Sequence, residues 1–262
     1  VRADYGGAPN YINTMINNLS EDYEIFIACP KDKPYYETWK NNSRVKAICY
    51  LPHRKFTINY LFKLSTFIKK HKIELIQANG KGAGVYCRLL KLITPNIKVI
   101  FAYRGFHIQK YNSFQKQLYF FYEKFMSLLT DKVINVSKGE QDQCIKHGVL
   151  KPNLSVKIYN GITAIKPKKV KALEEKYKNK FVIVTLSRFD FQKNMGLMYE
   201  IAKSLTSQEK IHFIWIGDGE DKNTLIQKAQ QENVNNIDFV GFKNHDEIAE
   251  YFAIANVYLS TT

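Results

Sequence analysis

The sequence predicts an α/β fold built from two doubly wound domains, and three observations along its 262 residues support this prediction. Short apolar runs rich in β-branched residues alternate with helical patterns throughout the chain. Most of these runs are continuously apolar, which is typical of strands buried on both faces of a parallel sheet. A lysine-rich stretch over residues 164–180 interrupts the alternation, so the predicted domains span residues 1–164 and 165–262.

The apolar runs predict the strands. Before the lysine-rich stretch they cover residues 24–28, 45–50, 73–77, 97–102, 132–136 and 156–159, and after it 181–187, 211–217, 237–241 and 256–259. Strands that alternate with helices connect through right-handed crossovers and form parallel sheets. In such sheets ligands bind beyond the carboxyl ends of the strands. We therefore expect the site in a crevice between the two domains.

Two predicted helices carry a one-sided apolar stripe. The first stripe consists of Ile58, Leu61, Phe62, Ser65, Phe67 and Ile68, and the second of Leu118, Phe121, Tyr122, Phe125, Leu128 and Leu129. In the second domain, Asn194 is a predicted helix N-cap. Asn244 is another, because Glu247 follows it at the spacing of a capping box.

Charge is divided unevenly between the predicted domains. Residues 1–165 contain 25 basic and 11 acidic side chains, a net charge of +14, whereas residues 166–262 contain 14 and 13. This asymmetry indicates that the first domain has a polyanionic partner. The alternatives are nucleic acid, an anionic membrane and an acidic substrate. The sequence shows no signal peptide, no apolar run of about 18 residues and no Cys-x-x-Cys pair, so a cytoplasmic protein with reduced thiols is expected.

Polar and glycine-bearing loops follow several predicted strands or open helices in the first domain. Gly6 and Gly7 precede a helical pattern, where glycine lets the backbone approach a ligand and free N–H groups favour an anion. Asn79 ends one strand, and Arg104 and His107 follow the next. A histidine at this edge is a candidate acid, base or hydrogen-bonding partner of a sugar; the alternative is a structural histidine.

The second domain shows a related set of loops. Arg188 follows an apolar strand and Lys193 opens a helix, where the two cations are suited to a diphosphate. Gly217, Asp218 and Gly219 close the next strand, and Phe242 follows another. Each loop alone is equally consistent with an ordinary strand-to-helix turn. Three such loops on one edge favour a nucleotide site.

In this order the motifs resemble family 4 of the retaining glycosyltransferases, which have the GT-B architecture. The matching segments cover nearly the whole chain: the Gly6–Gly7 loop, Arg104 to His107, Val136-Ser137, residues 158–162, Ser187-Arg188 with Lys193-Asn194, residues 217–219 and residues 239–241. The resemblance implies two Rossmann-like domains that face each other across a cleft. It also implies transfer of a sugar from a nucleoside diphosphate to an acceptor hydroxyl with retention, in cell-surface polysaccharide or glycolipid assembly.

The resemblance also implies roles for individual residues. The predicted catalytic residues are His107, Arg188 and Lys193. Donor-binding residues are Gly6, Gly7, Asn160, Gly217, Asp218, Gly219 and Phe242, and acceptor-side residues are Asn79 and Arg104. Fixed cations and amides stabilise the leaving diphosphate without a metal or cofactor. No Asp-x-Asp motif is present, and Asp218, Glu220 and Asp221 are expected to be solvent and dipole partners rather than metal ligands.

Two departures from the family pattern make the sequence look incomplete at both ends. The family opens with an apolar strand, whereas this chain opens at the glycine loop. The family also carries two glutamates seven positions apart, shortly after the segment that resembles residues 257–262. On this basis the fragment itself is expected to have doubtful activity.

The basic first domain is expected to bind a lipid-linked or other saccharide acceptor at an anionic membrane, on the inner face of the cell membrane. The helix over residues 58–68 is either interfacial or core-packing. One rival function is a basic polyanion-binding module without catalysis, but no nucleic-acid motif appears and no nucleic-acid partner is predicted. The other rival is a dehydrogenase or epimerase, and the dinucleotide fingerprint is incomplete because Lys222 stands where its third glycine belongs.

Overall fold

A computed structural model describes the chain apart from Tyr5, Arg54, His107, Lys110, Thr163 and Thr262, and apart from the side chain of His245. The chain forms two compact units, Val1–Thr163 and Ala164–Thr262. Each unit has a parallel sheet with helices between successive strands, which confirms the α/β prediction.

The first unit contains six helices and six strands in its described part. In chain order they are α1 Gly7–Asn18, β1 Ile25–Cys29, α2 Tyr35–Lys40, β2 Val45–Tyr50, α3 Ile58–Lys70, β3 Leu75–Asn79, α4 Lys81–Ile93, β4 Lys98–Ala102, α5 Ser113–Ser127, β5 Lys132–Asn135, α6 Lys138–Lys146 and β6 Ser155–Lys157. Strands β1 and β2 pair with each other, and β3 to β6 form a second sheet in sequence order. All of these pairs are parallel.

The second unit contains four helices and four strands among its described residues. They are α7 Lys171–Lys176, β7 Phe181–Leu186, α8 Met195–Ser204, β8 Ile211–Ile216, α9 Lys222–Gln231, β9 Ile237–Gly241, α10 His245–Ile254 and β10 Val257–Tyr258. The parallel strand order is β10-β7-β8-β9. Successive β8 residues belong to different cores, since Phe213 and Trp215 pack on one face and Ile214 and Ile216 on the other. Burial on both faces explains why this strand is continuously apolar.

The structure corrects the start of one predicted strand and shows how two predicted N-cap residues are used. Strand β3 begins at Leu75, not Ile73, because Lys72 adopts a φ of 51° and Ile73 N donates to Ile68 O, which closes the end of α3. Asn194 occupies the predicted N-cap position of α8, but it lies in the left-handed region and its side chain makes no capping hydrogen bond. The Asn244–Glu247 capping box of α10 is present as predicted.

The stripe on α3 turns mainly toward the core. Leu61, Leu64 and Ile68 are buried against the first unit's larger sheet, whereas Ile58 and Phe62 are exposed. The core-packing alternative therefore describes most of this helix. No helix in the described part of the chain has the length and hydropathy that a bilayer span requires.

Candidate active site

Arg104 joins polar residues at the carboxyl edge of the first unit's larger sheet. It follows β4 with φ 57°, in the left-handed region of the backbone. Its guanidinium donates to Asn79 Oδ1 at 2.9 and 2.8 Å, and to Asn160 Oδ1 at 2.6 Å. Asn79 is the last residue of β3, and Asn160 follows β6. Three residues that the sequence marked separately thus form one hydrogen-bonded cluster.

Helix α1 reaches the same cluster through Tyr11. The Arg104 guanidinium lies over the Tyr11 ring, 3.6 Å from its centroid. Tyr11 stands one turn after Gly7, where α1 begins, and Gly6 occupies the N-cap position without a side-chain cap. A β-carbon at Gly7 would meet no heavy atom within 4 Å. The amides at this helix start are therefore suited to an anion.

Glu140 is a site residue that the sequence reasoning missed. Its side chain is buried, and Oε2 accepts a hydrogen bond from Gly105 N at 2.9 Å. Its Oε1 accepts from Asn135 Nδ2 at 3.3 Å. Glu140 therefore holds the backbone immediately after Arg104. The partners are 35 residues apart, so no local pattern marks the contact. His107, the predicted catalytic residue of this segment, lies outside the described residues.

The loops after β7 and β8 are joined backbone to backbone in the second unit. Phe189 N donates to Asp218 O at 3.0 Å. Gly217 has a φ of 137°, and a β-carbon there would stand 1.8 Å from Ser187 O. A β-carbon at Gly219 would stand 2.3 Å from Phe189 O. Both positions need glycine because the two loops approach so closely.

Asp190 connects the two predicted cationic residues. Its Oδ2 is 3.0 Å from Arg188 Nη2, and its Oδ1 accepts from Lys193 N at 3.2 Å. The Arg188 side chain remains 60% exposed and keeps N–H donors available for a ligand. Within the described part of the chain, the Lys193 ammonium has no hydrogen-bond or ion-pair partner. Two cations at the end of β7 can therefore receive an anion.

Further groups complete this edge of the second sheet. The Lys222 ammonium, 3.1 Å from Asp218 Oδ2, and the Gly219 N–H hold the pKa of Asp218 below its usual value. Gly217 N donates to Gly241 O, which ties the β8 loop to the end of β9. Phe242 follows β9 and is half exposed.

The two edges differ in the chemistry they offer. The second unit presents cations, glycine turns and an aromatic ring, a set that suits the diphosphate and base of a nucleotide. The first unit presents amide and guanidinium groups, which suit hydroxyls and anions. Among the described residues, no cluster of three or more His, Cys, Asp or Glu side chains is arranged to hold a metal ion.

Two family models together match almost the whole chain. The first is described as Glycosyltransferase Family 4 and matches residues 5–164. The second is described as Glycosyl transferases group 1 and matches residues 167–262.

Curated relatives carry related names. The O-antigen biosynthesis glycosyltransferase WbnH of Escherichia coli is 28% identical over 248 residues, which are 93% of this chain and 68% of that protein. A UDP-Gal:alpha-D-GlcNAc-diphosphoundecaprenol alpha-1,3-galactosyltransferase of Escherichia coli is 24% identical over 227 residues, or 81% of this chain and 59% of that protein.

Solved structures share the fold. Anabaena HepE in complex with UDP and glucose superposes with a TM-score of 0.78 at 17% identity, covering 100% of this chain and 73% of HepE. The apo lipopolysaccharide outer core galactosyltransferase WaaB gives a TM-score of 0.63 at 12% identity, covering 100% of this chain and 74% of WaaB.

Proposed function

The chain belongs to glycosyltransferase family 4, and from that premise we propose that this glycosyltransferase moves a hexosyl or N-acetylhexosaminyl group from a UDP-sugar to a lipid-linked saccharide. The relatives' names support both substrates. One relative is named for UDP-Gal and a diphosphoundecaprenol acceptor, and WbnH is named for O-antigen biosynthesis. HepE was crystallised with UDP and with UDP-glucose.

One observation carries the assignment of the donor site. The Lys193 ammonium, which has no partner among the described residues, and the exposed Arg188 guanidinium lie in the loop after β7, beside turns where only glycine fits at Gly217 and Gly219. We assign the two cations to the diphosphate, where they neutralise the charge that grows as the sugar bond breaks. The glycine turns admit the ribose or phosphate, and Phe242 lines the nucleotide.

The first unit supplies the remaining roles in this proposal. Asn79 and Arg104 contact the acceptor, and Asn160 contacts the donor. We assign the uncapped amides at Gly6 and Gly7 to an anionic group of the donor. His107 keeps its assignment to the donor sugar or the reacting region. Because Arg104 binds Asn79 and Asn160 at once, acceptor and donor contacts are coupled through one side chain.

We also propose that the configuration at the anomeric carbon is retained. Family resemblance supports retention, and a relative's name specifies an alpha-1,3 linkage. An oxocarbenium-like transition state needs stabilisation of the departing diphosphate more than activation of the acceptor hydroxyl. In this proposal the two cations provide that stabilisation without a metal.

A substrate panel tests the function. The protein is incubated with UDP-glucose, UDP-galactose, UDP-N-acetylglucosamine or UDP-N-acetylgalactosamine and a synthetic monosaccharide-diphosphate-lipid acceptor. We expect UDP release with one added sugar in the product mass, and proton NMR of the product showing an α-anomeric coupling. UDP release equal with and without acceptor would refute acceptor transfer, and a β product from an α donor would refute retention.

A further inference from the structure

Helix α5 presents a continuous apolar stripe to solvent. Phe114, Leu118, Phe121, Phe125 and Leu128 recur at spacings of three and four residues and therefore lie on one face of the helix. Their exposed fractions lie between 53% and 76%. From Phe114 to Leu128 the stripe runs for about 21 Å at 1.5 Å per residue. Isolated exposed apolar side chains are ordinary, whereas a contiguous patch of this kind marks a contact surface.

The opposite face of α5 is fixed in the core, so the stripe cannot turn inward. Glu123 is buried and receives Arg88 Nη1 at 2.7 Å and the Tyr103 hydroxyl at 3.0 Å. Met126 is also buried on that side. Breaking this buried ion pair would leave an uncompensated charge in the core. The exposure of the stripe is therefore set by the fold of the unit.

The helix also starts next to the candidate acceptor groups. Tyr111 precedes α5 by two residues, and its hydroxyl accepts a hydrogen bond from Lys81 Nζ at 3.2 Å. Lys81 opens α4 two residues after Asn79. One end of the stripe is thus at the carboxyl edge of the sheet that carries Asn79 and Arg104.

We propose that the α5 stripe docks this protein on an anionic bilayer, with the five apolar side chains inserted among the lipid headgroups. The proposal rests on the proposed lipid-linked acceptor, because a bilayer along the stripe would present such an acceptor at the edge of the sheet. The stripe belongs to the strongly basic part of the chain, where residues 1–165 carry a net charge of +14. Apolar insertion combined with surrounding cations is the pattern of an interfacial helix on anionic lipid.

A second copy of the chain fits the stripe less well. Two copies of the same basic surface repel each other. Taking about 150–250 Å² for a whole side chain, the five side chains expose roughly 500–800 Å² in total, which only at its upper end reaches the area of a standard interface. A stable interface needs about 800 Å² from each partner.

Vesicle binding tests the proposal. A Phe114→Ser/Phe121→Ser variant changes the two most exposed aromatic side chains of the stripe. Tyr23→Ser/Leu92→Ser is the matched control, because these side chains are 62% and 63% exposed and lie outside the stripe. In sedimentation with phosphatidylglycerol/phosphatidylethanolamine vesicles, we expect the stripe variant to lose at least about tenfold in partitioning and the control less than about twofold. Circular dichroism and melting curves confirm that both variants are folded.

Two further readouts separate this proposal from the proposed function. Transfer to a short-chain, water-soluble acceptor is expected to be the same in the stripe variant and the wild type, whereas transfer to acceptor embedded in vesicles falls. Equal vesicle binding by wild type, stripe variant and control would overturn the docking surface while leaving transfer intact. A lipid-free dimer in analytical ultracentrifugation that the stripe variant abolishes would also overturn it, in favour of self-association.

Discussion

At the scale of single residues, glycine decides how closely two loops of the second unit approach. Gly217→Ala would place a β-carbon 1.8 Å from Ser187 O at a φ of 137°. We expect the free energy of unfolding to fall by about 2–3 kcal/mol, with a large loss of turnover because the loop with Arg188 must move. Denaturant unfolding and transfer kinetics measure both effects. Gly196→Ala in α8 is the control, since a β-carbon there meets no atom within 4 Å; equal effects of the two variants would contradict this account.

Glu140 is expected to act as a positioning residue for Arg104. Glu140→Ala removes the acceptor of the Gly105 N–H, which costs about 1–3 kcal/mol for a buried donor left unpaired. We expect kcat/KM to fall by about 5- to 150-fold, which is the kinetic equivalent of about 1–3 kcal/mol. Glu140→Gln keeps an oxygen that can accept the bond and is expected to recover most of the activity. If alanine and glutamine variants lose activity equally, the carboxylate has another role.

The sequence marked individual polar residues of the candidate site but not the side chains that they contact. Asn79 and Arg104 were marked by their positions at the ends of predicted strands, and Asn160 by the family resemblance; the structure joins all three through one guanidinium. Tyr11 and Glu140 were missed because they lie on α1 and α6, far in sequence from Arg104 and Gly105, which they contact. Local patterns record strand ends, whereas side-chain contacts across the sheet require the tertiary fold.

At the scale of elements, the strands were the most predictable features because a continuous apolar run has few alternatives in an α/β chain. Strands β2 and β9 have the predicted boundaries. The predicted start of β3 was wrong because Ile73, although apolar, belongs to the turn that ends α3, where its N–H donates to Ile68 O. Four of the five α5 stripe residues, all but Phe114, belong to the apolar pattern predicted from the sequence, but periodicity does not show which of two apolar faces meets the core.

Asp238 connects several elements of the second unit and predicts a pH dependence of stability. Burial raises the pKa of this carboxyl. Hydrogen bonds from Lys176 Nζ at 2.6 Å and from the Tyr177 hydroxyl at 2.5 Å lower the pKa by more than burial raises it, so the pKa lies below its usual value. Because the pKa of Asp238 is lower in the folded state, its ionised carboxylate stabilises the fold fully when the pH is above the unfolded-state pKa of about 3.9. This stabilisation is lost as the pH falls through the folded-state pKa.

Asp238→Asn is therefore expected to lower the free energy of unfolding by about 1–2 kcal/mol at pH 7, since Lys176 is largely exposed and the ion pair is screened. The difference from the wild type should shrink as pH falls below about 4. Urea unfolding at a series of pH values measures it, with Glu209→Gln at an exposed position as the control. A difference that is constant down to pH 2 would show that the charge of Asp238 contributes nothing.

At the scale of the whole molecule, the division of charge and the fold both support different roles for the two units in the proposed function. Family membership establishes a glycosyltransferase, and each unit carries its own parallel sheet with polar groups at the carboxyl edge. The basic first unit contains the acceptor candidates and the apolar stripe. In the nearly neutral second unit, Arg188 and Lys193 lie in the loop after β7, where the proposed function places the diphosphate.

The most direct test of the central claim compares the transfer kinetics of Arg188→Ala and Lys193→Ala with those of Lys203→Ala. Lys203 is the control because it lies in α8 and its ammonium pairs with Glu232. If Arg188 and Lys193 stabilise the leaving diphosphate, each of their variants loses about 100- to 1,000-fold in kcat while its melting temperature stays near that of the wild type. Lys203→Ala keeps its kcat within about twofold. Unchanged kcat in both site variants, or equal losses in all three, would contradict the assignment of the donor site.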